Sequence, residues 1–421
     1  MEIIKKELFI ITLIVLCSFC SNASAASTIT TEYSTKTYNE YFYAIHSDGV
    51  LYRFKYDKDS MHITERVKIL DDVVEVSGNF ALKEDGTVWR WEEDNTTPIF
   101  ITDTAISISS AGEQTAESLL ILKKNGELWG YGYNGNGQLA QGENNGGMYE
   151  PNFFDEPVKI TDDVKGMDEG RGQTIILKND STVWTVGSNA YGQLGNGSFE
   201  SSNILYKVMD NAKAVFASGG ASFAISENDI VYRWGTNRVG LIGESKKPYM
   251  FTVPIEYGSD MRYIENFPGY NFVIKNDDSL WIYGESNVSE SFVINREKRI
   301  SLPALILNNI DSVASADGDL DYTSIIVLDK ERRLSILKFN SEYSKDGDPL
   351  YNLYPVLNNV RLSTDEPIKV NFSDIDAISD TEKNAVNKLA KAGIINGITE
   401  TEFMPDKEIT RAETAALLLR M

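Results

Sequence analysis

Cysteine is almost absent from this chain: the two present, Cys17 and Cys20, both fall in an apolar N-terminal stretch. Once that stretch is removed no disulfide framework, thiol nucleophile or thiolate metal site is open to the remainder. Histidine is as scarce, with only His46 and His62, so a histidine metal site or base–nucleophile dyad has just those two to draw on. His46 adjoins the turn Ser47-Asp48-Gly49 and reads as a turn-flanking surface residue. Basic charge is short as well: 40 Lys and Arg face 62 Asp and Glu, a formal net charge of -22. Such a surface repels phosphate backbones, which argues against nucleic acid as a partner. The carboxylates themselves carry no spacing that identifies a glycosidase pair.

Long apolar runs are missing too, apart from Leu8 to Cys20, which is too short to span a bilayer comfortably. Lys5 and Lys6 precede it and Ala23-Ser24-Ala25 follows it, so residues 1–25 read as a secretory signal peptide with an A-x-A cleavage site. The expectation is a secreted chain that is not transmembrane after cleavage. About 400 residues remain, enough core to fold without staples.

What is present is a repeat. In Gln173 to Gly197, QTIILKNDSTVWTVGSNAYGQLGNG, an apolar run, a turn and a β-branched run make a hairpin, and a glycine-punctuated return loop follows. The hairpin recurs seven times, at Tyr41 to Phe54, Asn79 to Trp91, Leu119 to Gly142, the reference copy, Ser222 to Gly243, Asn271 to Asn287 and Thr323 to Leu337. Aligned after the turn, the copies place Tyr52, Trp89, Trp129, Trp184, Tyr232, Trp281 and Ser335 at one position. These aromatics read as blade packing and the loop glycines as backbone geometry. After each hairpin comes a second signature, alternating apolar residues, then Asp or Asn, then another apolar strand, as in RVKILDDVVEV from Arg66, PVKITDDVKGM from Pro157 and PALILNNIDSV from Pro303.

Two hairpin-forming halves per repeat make a four-stranded sheet, and such units at periods of roughly 40 to 50 residues mark a β-propeller. Seven copies predict a mainly β chain with a seven-bladed, closed ring. The strand pair near Pro355 to Leu362 is expected to complete the blade begun by Tyr41 to Phe54.

WGYGYNGNGQLAQG and VGSNAYGQLGNG resemble the regulator of chromosome condensation repeat, whose hallmark is a G-x-N-x-x-G-Q-L-G-x-G loop. Trp234-Gly235-Thr236-Asn237 with Gly240 matches in part, and the first, second, sixth and seventh copies keep the hairpin without the loop. The resemblance implies a seven-bladed propeller over residues 38–363, preceded by a lead-in at 26–37. It does not bring the nuclear members' function with it: chromatin contact wants basic patches, and export removes the chain from any small GTPase, so neither is expected as a partner. Exported propellers similar to this one include a β-lactamase inhibitory protein, which makes extracellular protein binding the precedent.

Past a polar linker at 364–370 the period changes to helical. Ser379 with Glu382 and Thr410 with Glu413 are capping-box pairs, Ala385, Val386, Leu389 and Ala390 share a face, and Gly393 sits where a C-cap belongs. This predicts a small all-α helix, loop, helix unit over 371–421. Phe372-Ser373-Asp374, Gly393-Ile394-Ile395-Asn396-Gly397, Phe403 with Pro405 and Ile409-Thr410-Arg411-Ala412-Glu413 closely resemble an S-layer homology domain. The resemblance implies attachment to a secondary cell-wall polysaccharide on the surface of a Gram-positive-type bacterium. Carried over, the glycan-binding residues are Arg411, Gly393, Gly397 and Asp374, and a guanidinium suits carboxylated sugars. The chain departs from the pattern in having Thr381 where a tryptophan is usual, and in carrying one copy where three in tandem are common.

The function expected is a wall-attached interaction protein whose propeller loops meet an extracellular protein or glycan, with no catalytic residue, metal or cofactor assigned. The alternatives are an extracellular hydrolase or lyase acting on polysaccharide and a structural wall or spore-coat component. The longest insertions, Asn134 to Asp155 and Asn340 to Tyr354, are the expected recognition sites, with Tyr133, Tyr149, Phe153 and Phe154 as contact residues. Asp317-Gly318-Asp319-Leu320-Asp321 resembles part of a calcium loop, but Tyr322 and Leu328 stand at its sixth and twelfth positions, and it reads as a solvated loop.

Overall fold

Three of the hairpin turns show why their sequence repeats. Asp180 Oδ1 accepts the N–H and the hydroxyl of Thr182, at 3.1 and 2.6 Å, and the Trp184 indole N–H donates to that hydroxyl at 2.8 Å. Asp85, Thr87 and Trp89 repeat the arrangement, as do Asp277, Ser279 and Trp281. The acid caps the turn and the hydroxyl relays to the aromatic. The D-x-[ST]-x-W spacing is therefore local hydrogen bonding written into sequence.

A computed structural model describes residues 30–31, 41–45, 49–56, 63–92, 96–111, 117–142, 153–170, 172–236, 250–267, 270–284, 304–315, 324–331, 333–339 and 351–357. They form seven antiparallel sheets of four strands. The first holds β1 (Thr30–Thr31), β2 (Tyr41–Ile45), β3 (Leu51–Tyr56) and β4 (Ile63–Leu70), and the second β5 (Val73–Ser77), β6 (Phe80–Lys83), β7 (Val88–Arg90) and β8 (Ile99–Thr102). The third holds β9 (Ala105–Ala111), β10 (Ser118–Lys123), β11 (Leu128–Tyr133) and β12 (Phe153–Thr161), and the fourth β13 (Val164–Gly170), β14 (Gln173–Lys178), β15 (Val183–Gly187) and β16 (Ser202–Met209). The fifth holds β17 (Ala212–Ser218), β18 (Ala221–Ser226), β19 (Ile230–Thr236) and β20 (Met250–Ser259). The sixth holds β21 (Met261–Phe267), β22 (Tyr270–Lys275), β23 (Leu280–Gly284) and β24 (Ala304–Leu307), and the seventh β25 (Ile310–Ser315), β26 (Ser324–Asp329), β27 (Leu334–Phe339) and β28 (Tyr351–Leu357).

The first strands lie against one another from blade to blade, β5 on β9, β9 on β13, and onward to β25, which meets β1, while β2 of the first blade meets β5 and completes the ring. The seven-bladed, mainly β fold is thus as expected. Its closure is not. Tyr351–Leu357 pairs with β27 inside its own blade, while Thr30–Thr31, in the expected lead-in, pairs Thr30 with Tyr43 and Thr31 with Phe42. The return from β27 to β28 is local in sequence, so the last strand stays with its own hairpin, and the open edge of the first blade is filled from the N-terminal side. Residues 358–362, and the helical unit expected over 371–421, lie outside the described residues.

Two devices join each blade to the next. The outer strand turns into the following inner strand through a left-handed residue: Asp72, Thr104, Asp163, Asn211, Asp260 and Asn309 all have φ between 59° and 62°. Short polar side chains tolerate that region best, which is why the second signature carries Asp or Asn there. The hairpin turn then accepts a hydrogen bond from the first residue of the next blade: Ala105 N–H donates to Gly86 O at 3.0 Å, Val164 to Gly126 at 3.0 Å and Ala212 to Ser181 at 2.9 Å. Apolar clusters fill the gaps between neighbouring sheets, and one runs from Phe223 of the fifth blade through Val273 and Val327 to Phe42 of the first. Burial is therefore shared by pairs of blades, and no single hairpin could supply it.

Candidate functional site

Turns within the inner pair of strands and loops before the outer strand all leave one end of the propeller, and the tight hairpin turns leave the other. The strands β11, β19, β23 and β27, after which long insertions come in sequence, finish at the first end, so the candidate binding face is there.

Two copies of the glycine-rich loop hold part of this face rigid. Asn189 is fully buried and its side-chain oxygen accepts the Leu194 N–H at 2.9 Å, while its amide donates to the carbonyl oxygens of Ser198 and Glu200 at 3.0 and 2.9 Å. Gln193 Oε1 accepts the Tyr191 N–H at 2.9 Å. In the third blade Asn134 Oδ1 accepts the Leu139 N–H at 2.8 Å and Gln138 Oε1 the Asn136 N–H at 3.1 Å, without, among the described residues, the amide donation that Asn189 makes. The loop also reaches across the seam: Gln193 O accepts from Ser222 Oγ and from the Trp234 indole of the fifth blade, both at 2.8 Å. Gly187 and Gly235 are required for that approach, since a Cβ on either would lie 2.4 or 2.3 Å from the carbonyl oxygen of Gly172 or Gly220. The loop is thus a blade-to-blade latch.

Of the expected contact residues, Phe153 is half exposed, stands opposite Tyr133 in the β11–β12 ladder and packs edge-on to Tyr131 at 6.1 Å. Phe154 packs against the core cluster around Leu120 and Leu139 and is a packing residue. The Tyr133 ring lies over Gly135 of its own loop, where a Cβ would come within 2.1 Å of the phenol oxygen. Tyr149 lies outside the described residues, as do Arg411, Gly393, Gly397, Asp374, His46, His62 and the Asp317 loop. The repeated aromatics Trp129, Trp184 and Trp281 are half buried under Lys123, Lys178 and Lys275, at 4.5, 5.2 and 4.3 Å. That is packing, as expected.

Sequence reasoning missed two features. The outer strands expose Phe100, Ile204, Tyr206 and Val253, which the alternating pattern of the second signature contained but did not orient. The second feature is a set of carboxyls on the first strands of two blades, held across the seams. Glu75 Oε1 accepts from Ser107 Oγ and Ile108 N–H, both at 3.2 Å, across the seam between the second and third blades, and burial pushes its carboxyl up to about 8. Burial also lifts Asp168 to about 7 and Glu169 well above the usual carboxylate range. Among the described residues no three His, Cys, Asp or Glu side chains are placed to hold a metal ion, and no helix is long and apolar enough to cross a membrane.

A family model described as "S-layer homology domain" matches residues 371–415, a span that contains all four expected glycan-binding residues. The chain is 31% identical over 143 residues to the Arabidopsis thaliana RCC1 domain-containing protein RUG3, mitochondrial, covering 32% of this chain and 31% of that protein. It is 29% identical over 155 residues to the mouse X-linked retinitis pigmentosa GTPase regulator, covering 35% and 15%. The chain therefore spans less than a third of the length of either relative. Among solved structures, Prp20p of Saccharomyces cerevisiae superposes with a TM-score of 0.52 at 15% identity, over 69% of this chain and 80% of that one. An S-layer homology domain marks a cell-surface location. The chain is thus a seven-bladed propeller similar in sequence to RCC1 domain-containing proteins, with an S-layer homology match over residues 371–415.

Proposed function

We propose that the chain is exported, binds secondary cell-wall polysaccharide through residues 371–421 and holds its propeller outward to engage an extracellular protein or glycan, acting by binding and not by catalysis. The observation that carries this reading is the pairing of a surface-attachment domain with a propeller whose long loops leave one end. Half-exposed Phe153 gives that end an apolar contact point, and the buried Asn189 and Asn134 keep the neighbouring loops in one conformation, so a partner meets a preorganised surface. Arg411 is the residue assigned to the sugar's acidic groups.

The test is cosedimentation with purified Gram-positive cell walls, comparing the full chain, a version ending at Ser363 and Arg411→Ala. The reading expects only the full chain to pellet. If none pellets, wall attachment fails. If the version ending at Ser363 pellets, the propeller is itself the wall-binding part and its turnover of polysaccharide becomes the question.

A further inference from the structure

Where the third, fourth and fifth blades meet, β13 carries two carboxyls adjacent in sequence, Glu169 buried and Asp168 partly buried. Asp168 is held from three directions: Oδ1 accepts the Ser109 hydroxyl and the Glu169 N–H, both at 2.9 Å, and Oδ2 accepts the Ala217 N–H at 2.8 Å. Ser109 belongs to β9 and Ala217 to β17, so this one carboxyl ties three blades together. Glu169 is held differently. The Ser118 hydroxyl donates to its Oε1 and the Ala111 backbone N–H also favours its charged form, while Oε2 makes no close hydrogen bond among the described residues. Thr174, directly opposite in the β13–β14 ladder, has a buried hydroxyl in the same condition.

The charges acting on Glu169 are Asp168 and Glu117, both acidic. From β9, β14 and β17 the facing groups are neutral, Ser109, Gln173, Thr174 and the Ala217 amide. Arg171 lies outside the described residues. Ser118 also accepts from the Gln138 amide at 3.2 Å, and Gln138 Oε1 accepts the Asn136 N–H at 3.1 Å. The carboxyl is therefore wired through Ser118 to the glycine-rich loop of the third blade, on the candidate binding face.

We propose that this seam is a pH-responsive latch, closed while Glu169 is protonated and loosened, together with the Asn134–Leu139 loop, when it ionises. A carboxylate buried close to other acids, here Asp168 and Glu117, resists ionisation. Asp168, partly exposed and with three donors, is suited to the charge, and the more deeply buried Glu169 to the proton. Burial raises both groups above their ordinary range, so the seam's stability is present below the ordinary carboxylate range and is lost as pH rises through the raised values. An exported propeller would then present a firmer binding face in acid than in mild alkali.

Hydrogen exchange followed by mass spectrometry on the intact chain, at pH 6 and pH 9 with intrinsic rates corrected, tests this. Peptides covering β9, β13, β17 and the Asn134–Leu139 loop should lose protection by about tenfold at the higher pH. Glu169→Gln, which cannot ionise, should remove most of that difference. Equal pH dependence in both chains, or no pH dependence at this seam, overturns the proposal. If the variant does not fold, carbon-13 carboxyl titration of the unaltered chain decides: a Glu169 value in the ordinary carboxylate range overturns it, and a raised one supports it.

Discussion

The indole N–H of Trp234 donates to the carbonyl oxygen of Gln193, 2.8 Å away across the seam between the fourth and fifth blades. Trp234 is fully buried, so this bond has no water to replace it. Trp234→Phe should lower stability by about 1–3 kcal/mol, from a lost hydrogen bond and a small void. A drop in the urea midpoint with an unchanged m-value is the expected result; no drop means that the latch is not a stabilising contact.

Gly187→Ala and Gly235→Ala place a Cβ against backbone carbonyl oxygen at 2.4 and 2.3 Å, where φ is 111° and 90°. Gly197→Ala has φ of 82° and meets nothing within 4 Å. The first two should cost about 3 kcal/mol or more, or prevent folding, and the third about 1 kcal/mol from backbone strain alone. Thermal unfolding of the three variants side by side gives the comparison. Similar losses in all would show that the close approach is not what selects glycine there.

Arg262 is buried and donates from Nη2 to the carbonyl oxygens of Ile310 and Asp311 at 2.6 and 3.0 Å, while pairing with Asp278 at 2.8 Å. This places one guanidinium across the seam between the sixth and seventh blades. Arg262→Met keeps the volume and removes the donors, and should destabilise by roughly 2–4 kcal/mol. Chemical denaturation measures it, and a neutral result would show that the ion pair is dispensable.

Glu75 gives a second pH dependence at a different seam. Its folded value of about 8 lies above the ordinary 4.5 because of burial. A raised carboxyl leaves stability fully present below pH 4.5 and removes it as pH rises through about 8. Glu75→Gln should flatten the stability profile between pH 5 and pH 9 by roughly 3–5 kcal/mol. Denaturant midpoints at several pH values test this, and the same slope in both chains would mean that Glu75 is ionised in the folded state.

The blade hairpins were legible from sequence because their determinants are local. Asp180, Thr182 and Trp184 interact within one turn, and the left-handed Asp163 sits at the junction that the Asp-Asp signature marked. The seam acids were not legible, because Ser109 and Asp168 are 59 residues apart and meet only when two blades pack. Phe153 and Phe154, adjacent and chemically identical, divide between solvent and core on strand alternation alone, and the sequence did not say which was which.

Seven repeats, the glycine-rich loops and the change to a helical period after residue 370 are properties of the sequence itself, since each depends on turn chemistry or on period within a few residues. Ring closure was settled by packing instead. A two-residue strand at Thr30–Thr31 fills the open edge of the first blade, and the last strand pairs with its own neighbour. Which carboxyls lose their water was settled in the same way, because desolvation depends on what the neighbouring blade places over them.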